Sequence, residues 1–305
     1  EWHLAPQVVE KDYVLGWLLA AIGADSEIGE NWVFKGGTCL KKCYLETYRF
    51  SEDLDFSLRP GAPYDPESLK ASLGRIGAVA TTLSGVGFAT DDLVVHSREN
   101  KAGQQTFEIR LGYAGPLGVP GPPKVKLDLT IHEEIVMSTE RRPIYHAYPD
   151  ALPTGATVAA YPLAELLAEK LRALIERTRP RDLYDVVYVL DNQADHLDLS
   201  QLRTVFVRKC RHKKVEVPTA AGLDALVRGN GELASEWDSM LRHQLPALLP
   251  LDDVIGRLAG LCRWLDPQVR EVPSRTRLES ALRGRETAPL ATSRGGRYWL
   301  SLIHI

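Results

Sequence analysis

Two carboxylates stand one residue apart at Asp53-Leu54-Asp55, and upstream of them lies Gly36-Gly37-Thr38. Alternate side chains of a strand share a face, so on an extended segment Asp53, Asp55 and Ser57 point one way and Leu54, Phe56 and Leu58 the other. The apolar set fits a core, while the acids project side by side. Carboxylates so placed repel unless a cation lies between them, and hard oxygen donors suit Mg²⁺. An Asp-x-Asp pair by itself is more often a solvated strand edge. The upstream segment changes the weighing. Gly36 and Gly37 allow positive φ and close approach of a ligand, and Thr38 opens a helix whose free N–H groups suit a nucleotide phosphate. Strand, turn, short helix and carboxylate strand follow in quick succession, the order that brings phosphates and metal together for phosphoryl transfer.

A third carboxylate, Asp128, lies in Lys124–Thr130. Val125, Leu127, Leu129 and Ile131 form one face there, and Lys124, Lys126, Asp128 and Thr130 the other. Asp128 completes a metal site if this strand pairs beside Asp53–Ser57; otherwise it belongs to the charged outer face of a half-exposed strand. Further on, Leu163, Leu166, Leu167, Leu171 and Leu174 share one arc of a helix, with Lys170 near its middle. Glu165, Glu169 and Arg172 fall on the opposite, wet face. A lysine on an apolar arc is costly without a partner. Lys170 either snorkels to solvent or points into a cleft to meet a nucleotide phosphate. Asp182 and Asp185 open the next helix after Pro180, where they complement the helix dipole, orient Lys170 or position substrate.

The elements that must hold these residues divide the chain in two. A helix over Val8–Ile22 precedes a strand at Trp32–Phe34, a short helix from Thr38 to Leu45 and a strand at Leu54–Leu58. A helix from Pro66 fades at Gly85, and strands follow at Leu93–His96, Thr106–Tyr113 and Val125–Ile131. Beyond Pro162 the chain reads as nearly all helix, until a last stretch that fits neither pattern. The expectation is an α+β chain: a mixed core over 1–155, a helical domain over 156–285, and a tail over 286–305 that is disordered or foreign to the natural protein. With 305 residues, 44% hydrophobic and 25% charged, a sizeable core is available. The net charge of −3 gives no bulk attraction to nucleic acid, so any such contact needs a local patch. Four cysteines without metal-ligand spacing fit a reduced, cytoplasmic setting. No apolar run is long enough to span a bilayer, and no secretory signal opens the chain.

Phe34-Lys35-Gly36-Gly37-Thr38-Cys39-Leu40 with Arg49-Phe50-Ser51-Glu52-Asp53-Leu54-Asp55-Phe56 resembles the AbiEii/AbiGii toxin family of nucleotidyltransferases, type IV toxin–antitoxin toxins similar to the tRNA-targeting MenT-type toxins. Val9-Glu10-Lys11-Asp12-Tyr13, Ala168–Leu174 and Arg181-Asp182-Leu183-Tyr184-Asp185 carry the likeness further, to about residue 265. The resemblance implies a polymerase-β-like nucleotidyltransferase core followed by a mainly helical C-terminal domain. It implies metal ions on Asp53 and Asp55 (two Mg²⁺, with Asp128 carried over weakly), and an NTP whose phosphates sit at Gly36, Gly37 and Thr38, with Ser51 beside them. Lys170 and one of Asp182 and Asp185 are implied to be essential. A hydroxyl near Ser51 is phosphorylated to silence some relatives, so Ser51 is a regulatory candidate or a serine bonding locally. The implied acceptor is the 3′ end of tRNA or another RNA, and the implied partner is a cognate antitoxin, with no membrane. Arg203, Arg208, Lys209, Arg211, His212, Lys213 and Lys214 are then either a solvated face or a grip on an RNA backbone. No aromatic residues alternate with them, so base stacking is not indicated. The alternatives are a protein or small-molecule hydroxyl as acceptor, or an inactive binding module.

Overall fold

The computed structural model describes residues 4–46, 48–91, 93–99 and 105–266, so the tail expected at 286–305 and the stretch 267–285 lie outside the described residues. The described chain divides into two compact units, Leu4–Tyr161 and Pro162 onward.

In the first unit, α1 (Pro6–Ala24) leads to β1 (Trp32–Lys35), the helical turn α2 (Gly36–Cys39) and β2 (Asp53–Leu58). There follow α3 (Pro66–Ser84), β3 (Gly87–Ala89), β4 (Val95–Glu99), β5 (Gln105–Ala114), β6 (Lys124–Thr130), β7 (Glu140–Pro143) and β8 (Thr157–Ala160). The strands make one mixed eight-stranded sheet, ordered β3-β5-β6-β2-β1-β8-β7, with β4 also paired to β5. This unit runs past residue 155, because β8 closes onto β1 at Phe34↔Ala160. One face of the sheet is apolar: Trp32 and Phe34 meet Phe56 at ring separations of 5.7 and 5.2 Å, and Leu54, Leu127, Leu129, Phe107 and Ile109 are buried with them. α1 packs on α3 and β8 and is buried from Asp12 through Gly23. A helix apolar all round belongs inside a core rather than on its surface.

The second unit holds α4 (Leu163–Arg177), α5 (Pro180–Asn192), α6 (Leu199–His212), α7 (Ala220–Arg228), α8 (Gly231–Leu241) and α9 (Leu251–Leu261). Asp198, Thr219 and Asn230 cap the N-termini of α6, α7 and α8 by accepting backbone N–H bonds. α4 packs against both α5 and α6, and so has two buried faces. Among the described residues no helix is long and apolar enough to cross a membrane.

Candidate active site

The Gly-Gly turn is built against the acid pair. Gly36 adopts φ +80°, a region that L side chains avoid, and a methyl group there would overlap Asp55 Oδ2. At Gly37 an added Cβ would lie 2.8 Å from Arg49 Nη2 and 3.1 Å from Ser51 Oγ, so the turn rests on a buried arginine and on the Ser51 hydroxyl. Thr38 is fully buried and donates its hydroxyl to Asp53 O at 2.5 Å. After Cys39 the helix widens into a π-turn over Leu40–Tyr44, a form frequent at functional sites. Cys39, just before it, and Cys43, within it, are buried free thiols.

Pairing across the sheet assembles the rest. β2 runs parallel to β6 with Asp53↔Lys126 and Asp55↔Asp128, and β5 pairs Glu108↔Asp128 and Arg110↔Lys126. Register partners point to the same side, so Lys35, Asp55, Asp128 and Glu108 form one row, with Asp53, Lys126 and Arg110 beside it. Asp128 does lie next to Asp55. Its carboxylate, however, accepts from Lys126 Nζ at 2.6 Å. Burial pushes the Asp53 carboxyl above the usual carboxylate range; Lys126 and Lys11 offset part of this, and Asp128 and Glu52 add to it. A desolvated carboxyl beside other acids is what a cation would relieve.

Among the described residues no three His, Cys, Asp or Glu side chains gather closely enough to hold an ion by themselves. Two carboxylates suffice for Mg²⁺ when substrate phosphates and water complete its shell. The oxygen donors of Asp53 and Asp55 therefore fit that ion, while Asp128 is engaged with Lys126.

Four consecutive residues of α1 fasten this site to its surroundings, a role that sequence reading alone did not assign. Glu10 Oε1 accepts from Leu117 N at 2.6 Å, and Lys11 donates to Glu52 Oε2 at 3.0 Å, one residue before Asp53. Asp12 accepts from Lys42 Nζ in the π-turn at 2.6 Å and from the Tyr148 hydroxyl at 2.9 Å. Tyr13 donates to Asp150 at 2.5 Å. Neighbouring helical side chains point about 100° apart, so only a helix buried all round can be held on every side in this way.

In the helical unit, Lys170 meets both candidate acids: Asp185 Oδ2 at 2.7 Å and Asp182 Oδ1 at 3.2 Å. Arg177 adds bonds of 2.6 and 3.0 Å to Asp182. Asp182 and Asp185 are fully buried. Burial pushes the Asp182 carboxyl up, but Lys170 and Arg177 outweigh it and hold the group below its ordinary range. The expected wet face of α4 is corrected. Glu165 is fully buried and bonded to Lys209 Nζ at 2.7 Å, and Glu169 accepts from the same ammonium at 3.1 Å. Lys209 is itself fully buried, so it cannot belong to a basic surface; Arg208, Arg211 and Lys214 are exposed and Lys213 half-buried.

No curated protein matches the chain. Among solved structures it is similar to MenT4, a nucleotidyltransferase toxin from Mycobacterium tuberculosis H37Rv, at 21% identity and a TM-score of 0.50 over 91% of this chain and 92% of that one. That likeness shows a shared fold. A family model described as the nucleotidyl transferase AbiEii toxin of type IV toxin–antitoxin systems matches residues 17–265, which takes in the turn, the acid strand and the lysine–aspartate cluster. The chain therefore belongs to the AbiEii toxin family and is a nucleotidyltransferase.

Proposed function

We propose that the protein transfers a nucleoside monophosphate from an NTP to the 3′-hydroxyl of an RNA, tRNA foremost, and that this stops translation unless a cognate antitoxin intervenes. The observation that carries the reading is the close fit of the Gly36 backbone against Asp55, with Thr38 tied to Asp53 O. The phosphate turn and the metal-binding carboxylates are thus one rigid piece. Backbone N–H groups at the start of α2 would receive the triphosphate. Asp53 and Asp55 would hold Mg²⁺, two ions in the full form of the reading, which would neutralise charge at the transferred phosphoryl group and acidify the attacking hydroxyl. Lys11 holds Glu52, Asp12 holds the π-turn through Lys42, and both fix the acid strand relative to the turn. Lys170, positioned by Asp182 and Asp185, is the lysine this reading takes as essential. Ser51, lying against Gly37, is where a phosphate group would crowd the turn and silence the protein.

The test is to incubate the protein with each labelled NTP in turn, Mg²⁺ and total RNA, alongside Asp53→Ala. The expected result is label on RNA, enriched in tRNA, with a loss of about a hundredfold to a thousandfold in the variant, the scale set by removing a group that stabilises transferred charge. Label on protein or a small molecule instead would replace the acceptor. Unaltered toxicity of Asp53→Ala together with no transfer at all would leave a binding module.

A further inference from the structure

The basic run of α6 is not the only surface suited to a polyanion. The second lies on the same unit as the acid pair. On the polar face of the sheet, acidity falls with distance from the turn: β2 presents Asp53 and Asp55, β6 alternates Lys124, Lys126 and Asp128, β5 presents Glu108 and Arg110, and β4 presents His96 and Arg98. One carboxylate organises the far half. Glu108 Oε1 accepts from Arg110 Nε at 3.1 Å and Nη2 at 3.0 Å, while its Oε2 lies 3.1 Å from Arg98 Nη1 and 3.8 Å from Lys126 Nζ. The Glu108 side chain is only 7% exposed, yet those of Arg98 and Arg110 are 64% and 60% exposed. A guanidinium carries five N–H donors, and Glu108 engages one on Arg98 and two on Arg110. The two heads are therefore oriented from below and open to solvent above. Beyond the acid pair, Lys124, Lys126, Arg98 and Arg110 outnumber Asp128 and Glu108.

In-line displacement decides which side of the acid pair an acceptor must use. Pyrophosphate departs toward the turn, which follows β1. The attacking hydroxyl comes from the opposite side of the phosphorus, and the strand order β1-β2-β6-β5 makes that the Lys126–Arg110–Arg98 side. Resting on the nucleotidyltransfer reading above, we propose that the acceptor RNA enters over β6, β5 and β4, with Arg110 and Arg98 gripping its backbone phosphates and Glu108 as the residue that positions both. The shoulder binds phosphate and ribose regardless of base, and sequence is read elsewhere.

The experiment uses total tRNA as probe and compares wild type, R98Q/R110Q, R98K/R110K and R208Q/R211Q/K214Q, with melting curves confirming that each is folded. Apparent KM for tRNA and for NTP is measured over a range of KCl concentrations. In R98Q/R110Q the tRNA KM rises about tenfold or more, as for lost hydrogen bonds to charged groups, with the NTP KM unchanged. Its salt dependence flattens by about 1.4 in log–log slope, two single-strand phosphate contacts at about 0.7 each. The lysine pair keeps most of the slope, since charge survives without the guanidinium fork. Wild-type KM and slope in a folded R98Q/R110Q protein overturn the proposal, as does loss confined to the α6 variant. Should wild type label no RNA, the functional reading fails instead. Equilibrium binding of tRNA to the same proteins then decides the surface on its own, with equal affinity of wild type and R98Q/R110Q counting against it.

Discussion

The acids of the sheet and the acids of the helical unit are the same residue type put to opposite physical use. Asp182 and Asp185 are fully buried, but Lys170 and Arg177 lie within bonding distance and hold Asp182 ionised. Glu165 and Glu169 share Lys209 in the same way. These clusters carry their own counter-charge and are complete as they stand. Asp53 is different: burial raises it, and Lys126 and Lys11 compensate only in part. Strain of that kind persists because the surrounding fold fixes it, and it is relieved by a ligand rather than by the chain. Under-compensated charge is the feature on which the proposed cation site rests, while balanced buried charge fits scaffold or positioning.

Neutralising one acid from each region, without divalent cation, should therefore give effects of opposite sign. Asp185→Ala strips Lys170 of its shorter bond in a buried setting and should cost about 3 kcal/mol in denaturant unfolding. Asp53→Asn removes a carboxylate whose charged form is disfavoured in the fold, so its stability should equal or exceed wild type at pH 7. A comparable loss from both substitutions would dissolve the distinction. Adding Mg²⁺ should then stabilise wild type and leave Asp53→Asn unmoved.

The sequence showed the acids but not their compensation. Asp53, Asp55, Gly36 and Gly37 were legible because strand alternation and turn chemistry act within a few residues. The register Asp53↔Lys126 and the row Asp55, Asp128, Glu108 join segments far apart in the chain, and no local pattern encodes that pairing. Strands β3, β7 and β8 went unread because three or four residues are too few to show alternation, and Pro143 ends one of them. Helix α4 misled for another reason. A helical wheel assumes one buried arc, whereas α4 is covered by both α5 and α6, so Glu165 and Glu169 fall on a second interior face with Lys209. Glu10 and Asp12 are likewise buried, and their partners, the Leu117 backbone and Lys42, lie far along the chain.

A middle-sized effect sharpens the sheet side of the comparison. Gly36→Ala puts a methyl group onto Asp55 Oδ2 and a side chain at φ +80°. The backbone strain alone costs about 1–2 kcal/mol. Because the displaced group is the carboxylate proposed above to hold Mg²⁺, activity should fall further than stability, by about a hundredfold in kcat/KM for the NTP. Gly85→Ala, at φ +74° with nothing near its added Cβ, is the control: similar strain, with activity intact.

The smallest effect concerns a titratable group that belongs to neither class of acid. His146 sits among Tyr13, Trp17 and Tyr148 at ring separations of 5.5, 5.2 and 4.8 Å. Burial, with Lys42 nearby, pushes it down from 6.5 to about 4. A depressed imidazole means that between those values the unfolded chain binds the proton and the fold does not. Stability therefore rises with pH across that window and is lost as pH falls from 6.5 toward 4. The expected loss is about 2–3 kcal/mol at most. His146→Phe keeps the aromatic packing and removes the proton, so unfolding free energy should lose most of its slope between pH 6.5 and 4. Tyr13, Tyr148 and Lys42 all reach α1 or the π-turn, so wild-type transfer activity should decline over the same window more steeply than that of His146→Phe. An unchanged slope in the variant would assign the acid sensitivity to the carboxylates of the sheet and return the comparison to Asp53.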